Sequence, residues 1–594
     1  MATVYVNDRP VEIGDAKLNA IQAAERAGVL IPSYCWHAAL TVVASCRMCL
    51  VEVGERKDDG TVVIPPKVVP GCQTPVKHGS VIVTAEYGEV KPGETAPQPL
   101  NYPANYGKPG ERAKKAQADT LEGILINHPL DCPVCDKAGE CKLQDFSYEY
   151  GRTTTRMVDE KNTPPNKPHI SSKITLFTDR CIMCSRCVRF TREISGEGEL
   201  TITNRGEHAE IDIFPGVPLE NKLAGNVVDL CPVGALGSKD FLYKQRVWYL
   251  KDTDSVCPNC STGCSIHVDT NKDIVYRLRP RENPQAQGWF MCDEGRYGYH
   301  YVNAKDRLMR PLVLAPERKA PATIAEAGDI GKTQTQFAHH FPTTWRELLP
   351  ALRRLLADAA RQDPKSVVGV LSPWLTCEEA FLLAKCLKSL SKDVKLALGP
   401  VAVIGEDDTY PKDRRGKPAQ PVKFTIRAVK CPNRRGVEEI LKHFEGKVSS
   451  FADVCRSAGE SKVKTAFVTV SAPPDRRGIS DQDTAALAKV ETLIVQEFFA
   501  NSLTNAAKYV LPATAFAEKE GTYVNHAGLA QSIKRATHAP QEARTEGQVY
   551  ADLMERPGLL RAAVVRKEMA AEVPFFAPLA ADLGGLGIRL GGTK

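Results

Sequence analysis

The sequence contains no long apolar run. Nothing in its 594 residues approaches the roughly 18 consecutive apolar residues a membrane-spanning helix needs, and the longest candidates, such as Thr465 to Ala472, are strand-sized. The expectation is a soluble chain whose membrane link, if it has one, runs through partners. An excess of one charge is also missing: 78 Lys and Arg face 71 Asp and Glu, and the net +7 is interspersed along the chain. That gives little support to nucleic-acid binding. Met1 to Gly14 show no basic leader, apolar signal core or Arg-rich amphipathic segment, so the expected setting is a bacterial cytoplasm. No repeat recurs at a fixed period. Cysteine is sparse in the second half, where Cys377, Cys386, Cys431 and Cys455 are scattered.

What is present begins with ordinary globular proportions. Hydrophobic residues make up 43% and charged residues 25%, which indicates neither disorder nor a membrane protein, and the length implies about three to six domains. Residues 1–86 read as a compact α+β domain, with strands near Val4–Val6 and Val81–Ala85 and a helical run from Leu18 to Ala27. A Pro-, Gly- and Asn-rich stretch from Tyr87 to Gly110 has the composition of a linker or extended excursion. A helical pattern follows from Ala113 to Asn127 and stops at His128-Pro129. Another Pro- and Asn-rich loop spans Asp159 to His169. After Tyr301, short apolar strands (Val367–Leu371, Ala466–Val470, Thr492–Val495) alternate with helical runs such as Cys377 to Leu390, which predicts α/β layers. The segment from Pro311 to Phe341 reads as a surface excursion.

The other 15 of the 19 cysteines lie before residue 293 in tight groups. In a chain with no secretion signal they point to metal ligands or redox thiols. Cys35, Cys46, Cys49 and Cys72 form the first group. Four thiolates from one loop and its return suit a [2Fe-2S] cluster, and the long first gap is unlike the paired knuckles of zinc sites. In the second group His128 stands where a fourth ligand to Cys132, Cys135 and Cys141 is missing. An imidazole in place of a thiolate removes one negative charge from a [4Fe-4S] cluster, although zinc also fits this donor set.

The third group, Cys181, Cys184, Cys187 and Cys231-Pro232, has the C-x2-C-x2-C triplet and distant Cys-Pro of bacterial ferredoxin domains. Thr191 and the absence of a second triplet limit it to one [4Fe-4S] cluster. Arg180, Arg186, Arg189 and Arg192 surround the triplet, either to tune its potential or as a solvated basic face. The fourth group, Cys257, Cys260, Cys264 and Cys292, suits iron-sulfur or zinc by spacing alone.

In this order, and through the stretches INHPLDCPVCDKAGEC, DRCIMCSRCVRFTREISG, DLCPVGAL and CPNCSTGC, the chain resembles the large iron-sulfur subunit, or G-subunit, of bacterial NADH:quinone oxidoreductase, respiratory complex I. The likeness is close over roughly residues 1 to 305. The stretch VLPATAFAEKEGTYVNHAGLAQ at 510–531 resembles a shortened molybdopterin-oxidoreductase domain. The resemblance implies a multidomain α+β and α/β protein in five parts. These are a plant-type [2Fe-2S] ferredoxin-like domain (1–86), a histidine-plus-three-cysteine [4Fe-4S] module (87–150), a [4Fe-4S] ferredoxin-like domain (151–247), a molybdopterin-oxidoreductase-type [4Fe-4S] domain (248–305) and a degenerate molybdopterin-oxidoreductase-like α/β domain (306–594).

It further implies one [2Fe-2S] and three [4Fe-4S] clusters, iron held through the residues named above, and no molybdopterin, flavin or NAD in this chain. No residue here is expected to be catalytic. Electrons would come from a flavin- and NADH-binding subunit, enter at the Cys35 set, pass to the Cys181 set, leave by the His128 set toward other peripheral-arm iron-sulfur subunits, and finally reach quinone. The fourth cluster would lie off that route. The chain would sit on the cytoplasmic face of the inner membrane, peripheral, linked to the membrane arm only through partners.

Two competing families share the N-terminal modules. An NAD-dependent formate dehydrogenase would need a Lys soon after Cys292, where the sequence reads Asp293-Glu294-Gly295-Arg296, and an [FeFe]-hydrogenase would need cysteine motifs that the four late cysteines do not form. Those four read as buried small apolar residues or ordinary thiols. Gly331-Lys332-Thr333 lacks the glycine and strand of a phosphate loop. The terminal LGGLGIRLGG run reads as a flexible tail.

Overall fold

The computed structural model describes residues 2–90, 92–93, 95–315 and 339–591, so Gly331-Lys332-Thr333 and most of the Pro311–Phe341 segment lie outside the described residues. Contacts divide the chain into two units, Met1–Tyr249 with Pro411–Gln420, and Leu250–Tyr410 with Pro421–Lys594.

In the first unit, Val4 and Val6 alternate with more accessible neighbours and are fully buried, so β1 (Thr3–Val6) presents one face to a core. β1 pairs antiparallel with β2 (Arg9–Glu12) and parallel with β6 (Ser80–Val83). β6 continues the sheet to β3 (Leu50–Arg56), which also carries β4 (Val62–Val63) and β5 (Val68–Pro70). Helix α1 (Ala20–Arg26) starts at Asn19, whose side chain accepts from the Gln22 amide in a capping box, and it buries Ala20, Ile21, Ala23 and Ala24.

The Tyr87–Gly110 stretch does not leave this sheet as a linker would. Tyr87 and Tyr102 donate to the Asp8 carboxylate, Tyr106 donates to Glu52, and Tyr106 packs with Val62, Val81 and Val83. Three tyrosines, each with an apolar body and a hydroxyl tip, fasten the stretch to the far side of the sheet. Helix α2 (Glu111–Leu125) follows and ends just before His128. Next come α3 (Lys142–Tyr150) and a small α+β region. In it β7 (Ile174–Leu176) pairs with β10 (Leu236–Ser238), β8 (Leu200–Thr203) pairs with β9 (Glu210–Ile213), the short helix α4 (Arg186–Phe190) carries Cys187, and α5 (Asn226–Leu230) ends at Cys231.

The second unit begins with the antiparallel sheet β11 (Lys251–Val256), β12 (Ser265–Asn271) and β13 (Ile274–Pro280), followed by α6 (Asp293–Tyr297). Its main sheet has seven strands, five of them parallel: β16 (Val367–Leu371), β17 (Lys395–Leu398), β20 (Thr465–Thr469), β21 (Thr492–Glu497) and β22 (Tyr509–Pro512). β14 (Leu312–Leu314) and β15 (His340–Pro342) close one edge antiparallel. β18 (Asp408–Tyr410) and β19 (Phe424–Ile426) form a separate ribbon.

Side-chain alternation explains the layering. Val367, Leu371, Phe467, Ile494 and Leu511 enter one core with the helices Trp345–Gln362, Cys377–Leu390 and Arg434–Glu445. Val368, Val370, Ala466, Val468, Leu493 and Val495 enter another with Phe451–Gly459. Both faces are covered, which is why these strands read as continuous apolar runs. Cys377 and Cys386 pack in the first core, Cys431 and Cys455 in the second, as small apolar residues do.

The glycine-rich C-terminal run is not a loose tail over its described residues. β25 (Ile588–Arg589) pairs with β24 (Leu529–Ile533), itself paired with β23 (Gly521–Val524), and Leu583 and Leu590 are buried. Gly587 is required at its place: φ is 87°, and a Cβ would lie 2.4 Å from the Ala530 carbonyl oxygen.

Candidate iron-sulfur centres

The first set sits on the loop after α1 and on the turns flanking β3 and β5. Ala44 and Arg47 adopt left-handed conformations (φ 51° and 57°), which curl the chain around the Cys46–Cys49 turn. The Cys35 amide donates to Cys46 Sγ at 3.5 Å, and the Gly71 amide donates to the Cys49 carbonyl at 2.7 Å. Cys35 is driven toward thiolate chiefly by hydrogen bonds from the Cys46 and Cys72 thiols, and Cys49 by the Cys72 thiol. Cys46 and Cys72 are correspondingly pushed up. Four sulfurs linked in a chain, Cys46 to Cys35 to Cys72 to Cys49, form a donor set that suits two bridged irons.

In the second set, Cys132 opens a helical turn, Cys135 follows it and Cys141 caps α3. Cys135 interacts with Cys132 on one side, and Cys141 with Cys135 on the other. Burial raises Cys135 and pushes Cys141 up to about 11; Cys132 is exposed. His128 is held by its amide bond to the Leu125 carbonyl (3.2 Å), and its Nδ1 is buried without a hydrogen-bond partner among the described residues. Burial, followed by the cations of Lys161 and Arg180, pushes its pKa down to about 4. A neutral imidazole with an unpartnered buried nitrogen is in the state a metal ligand requires. The charge of Arg180 acts on both His128 and Cys135.

The third set converges fully. Cys181, Cys184, Cys187 and Cys231 line one small apolar cavity with Leu176, Ile211 and Val233. Met183 and Ser185 are left-handed (φ 52° and 57°), which folds the triplet back on itself. Burial pushes Cys181 up to about 12 and Cys184 to about 11, and drives Cys187 well above its ordinary value. Thiols so placed ionise only where a bound metal supplies the compensating charge.

The fourth set lies on the β11–β12 turn and at the start of α6. The Cys257 amide donates to the Cys264 carbonyl (2.8 Å), and Cys292 Sγ accepts from the Gly295 amide (3.3 Å). Cys264 is raised by burial and by Cys257, Cys260 and Cys292, so the four face one another. A Cβ on Gly295 would lie 2.8 Å from Cys257 Sγ, so glycine there keeps the space around the sulfurs open.

Sequence spacing did not reveal several neighbours. Lys430, buried, pairs with Glu294 two residues past Cys292 (2.7 Å), and Glu294 also pairs with Arg476. Arg246 donates to the Cys135 carbonyl at 2.8 Å. Gly234, three residues past Cys231, lies against Cys135: a Cβ there would be 2.1 Å from its Sγ. The adjacency of Lys430 to Cys431 was the one signal available, because Cys431 interacts with Cys260 of the fourth set. Of the arginines around the triplet, Arg180 turns toward the second set and Arg186 and Arg189 toward the first, whereas Arg192 is exposed and bonds Thr201.

Family models match this arrangement in chain order: a 2Fe-2S iron-sulfur cluster binding domain over residues 1–87, and the NADH-ubiquinone oxidoreductase-G iron-sulfur binding region over 117–156. The ferredoxin-like domain of NADH-quinone oxidoreductase subunit 3 matches 171–237, the molybdopterin oxidoreductase Fe4S4 domain 250–304, and molybdopterin oxidoreductase 443–556. The NADH-quinone oxidoreductase G-subunit of Rickettsia conorii is 34% identical over 55% of this chain and 43% of its own.

The chain is a homologue of the NADH-quinone oxidoreductase G-subunit.

The G-subunit of Streptomyces coelicolor is 32% identical over 65% of this chain and 39% of its own. The match therefore spans about half or less of these bacterial relatives. The mitochondrial NADH-ubiquinone oxidoreductase 78 kDa subunit of Neurospora crassa is 28% identical over 92% of this chain and 79% of its own. In order, the matched models describe a ferredoxin-type 2Fe-2S domain, two 4Fe-4S modules and a molybdopterin-oxidoreductase-type region, so both 2Fe-2S and 4Fe-4S cofactor types are represented. Among the described residues no helix is long and apolar enough to cross a membrane.

Proposed function

We propose that this chain is the iron-sulfur electron-relay subunit of an NADH:quinone oxidoreductase. It would hold one [2Fe-2S] cluster at Cys35, Cys46, Cys49 and Cys72, and three [4Fe-4S] clusters. Their ligands would be His128, Cys132, Cys135 and Cys141; Cys181, Cys184, Cys187 and Cys231; and Cys257, Cys260, Cys264 and Cys292. The modules would be 1–86, 87–150, 151–247, 248–305 and 306–594, with no pterin in the last.

When bound, each cluster accepts and releases one electron. What the residues of the chain do is hold the thiols dry, set their spacing and grade the surrounding charge. The donor would be a flavin- and NADH-binding subunit and the acceptors other peripheral-arm iron-sulfur subunits, with the whole peripheral on the cytoplasmic face of the bacterial inner membrane.

The observation that carries the order of transfer is the central place of the third set. Arg180 of that segment pairs with Asp131, beside Cys132, and Gly234 lies against Cys135. On its other side Arg189 binds the carbonyls of both Cys184 and Cys35. That favours a route from the Cys35 set through the Cys181 set to the Cys132 set. Replacing Cys187 with Ser tests it in the assembled complex: NADH should still reduce the first cluster, and the His128 site should stay oxidised. Reduction of the His128 site at the normal rate would overturn the order.

A further inference from the structure

Two arginines on one short helix lie between the first and third cysteine sets. α4 carries Arg186 and Arg189, three residues apart and so on one face. Arg189 donates from Nη2 to the carbonyl oxygens of Cys35 and Cys184, the latter at 3.4 Å, from Nη1 to the Thr41 carbonyl, and from Nε to Ser185 Oγ at 3.3 Å. Arg186 repeats the pattern: Nη1 to the carbonyl of Leu230, the residue before Cys231, at 3.3 Å, and Nη2 to the carbonyl of Trp36, the residue after Cys35. One guanidinium thus bonds the backbone of a ligand residue from each set, and the other bonds the immediate neighbour of one from each.

Both side chains are buried, 5% exposed for Arg186 and 7% for Arg189. Among the described residues no salt bridge joins either to a carboxylate. Glu193, the acid nearest in sequence, is instead engaged by the Thr41 amide at 2.9 Å and the Thr41 hydroxyl. Burying a cation without a counter-charge is costly, and carbonyl dipoles compensate only part of it. Arg186 Nε is itself buried with no hydrogen-bond partner. Thiolate-ligated clusters are anionic, so one on each side supplies the charge that the protein withholds.

We propose that Arg189, with Arg186 beside it, is the positioning residue of the electron step between the first and third sites: it clamps the two ligand loops at a fixed separation and lays one positive field across both. This rests on the cluster reading given above. In the step, one electron leaves the reduced first site and enters the oxidised third; no bond is made or broken and no proton moves. A charge shared between the sites favours the reduced form of both, so its removal shifts both potentials in the same direction. An arginine serving the third site alone would shift one. Lysine at 189 keeps the charge and loses the multiple carbonyl bonds of the planar fork.

The test uses the full chain with its clusters, in wild-type form and as Arg189→Met, Arg189→Lys and the control Arg192→Met. EPR-monitored redox titration reads both potentials, and a fast-reduction experiment reads the transfer rate between the sites. Arg189→Met is expected to lower both potentials, Arg189→Lys to restore them while transfer stays about tenfold slow, and Arg192→Met to change neither. Unchanged potentials in Arg189→Met, or a shift confined to the third site at wild-type rate, would overturn the proposal. If Arg189→Met does not retain its clusters, Arg189→Lys decides: slowed transfer at unchanged potentials supports the clamp, and wild-type rate overturns it. A wild-type chain lacking either EPR signal overturns the cluster reading itself and the inference with it.

Discussion

Arg180 donates two hydrogen bonds to a single oxygen of Asp131, from Nε at 3.0 Å and Nη2 at 2.8 Å, with its guanidinium over the Phe177 ring at 4.1 Å from the centroid. The pair ties the segment before Cys132 to the turn that delivers Cys181. The arginine is buried and the aspartate about a third exposed, so the pair has an anchored end and a wet end. Replacing Arg180 with Leu should cost about 1–2 kcal/mol locally, because a charge-assisted bond is lost while water partly rescues the carboxylate. The expected readout is selective loss of the His128-site EPR signal with the third-site signal retained. Loss of the third-site signal alone would mean that Arg180 supports the ferredoxin-like region and not the His128 site.

His128→Cys should lower the potential of the second cluster and slow NADH-to-quinone transfer, because a thiolate adds the negative charge that imidazole withholds. The unpartnered buried Nδ1 leads us to expect ligation. An unchanged potential and rate would count against it.

Replacing Cys257 with Ser should remove the fourth cluster and leave NADH-to-quinone transfer largely intact, since Arg180, Arg186 and Arg189 already join the first three sets to one another. Complete loss of transfer in an assembled complex would put the fourth site on the route.

Glu497 supplies a pH signature in the second unit. Burial pushes its carboxyl from its ordinary 4.5 up to about 7, with Arg477 at 3.3 Å pulling the other way. The folded-state value lies above the unfolded one, so the unfolded chain releases this proton first. Stability is therefore highest below pH 4.5 for this group and falls as the pH rises to about 7, by about 3 kcal/mol at most. Hydrogen exchange of β21, corrected for intrinsic rate, should show protection decreasing over that window, and Glu497→Gln should flatten the trend. A variant that keeps the full wild-type slope would assign it elsewhere.

The convergence of Cys181, Cys184, Cys187 and Cys231 on one cavity was foreshadowed by spacing, because ligand chemistry is written in residue type and spacing. The parallel strands were legible too: Val367–Leu371 and Leu493–Val495 are apolar on both faces, as a covered sheet requires. The linker reading of Tyr87–Gly110 failed because Pro and Gly composition masks three tyrosines 15 and 4 residues apart that all find acids on one sheet. The tail reading failed for a similar reason, since Gly587 sits where a strand approaches another backbone too closely for a Cβ. The division of labour among Arg180, Arg186, Arg189 and Arg192 was beyond the sequence. Four arginines around a triplet look alike until the fold shows which carbonyls each one reaches.

The central claim is most directly tested by metal and acid-labile sulfide content on anaerobically prepared chain. About 14 iron atoms per chain, with matching sulfide and neither molybdenum nor tungsten, is the predicted result. Stoichiometric molybdenum or tungsten, or about 10 iron with one zinc, would contradict it.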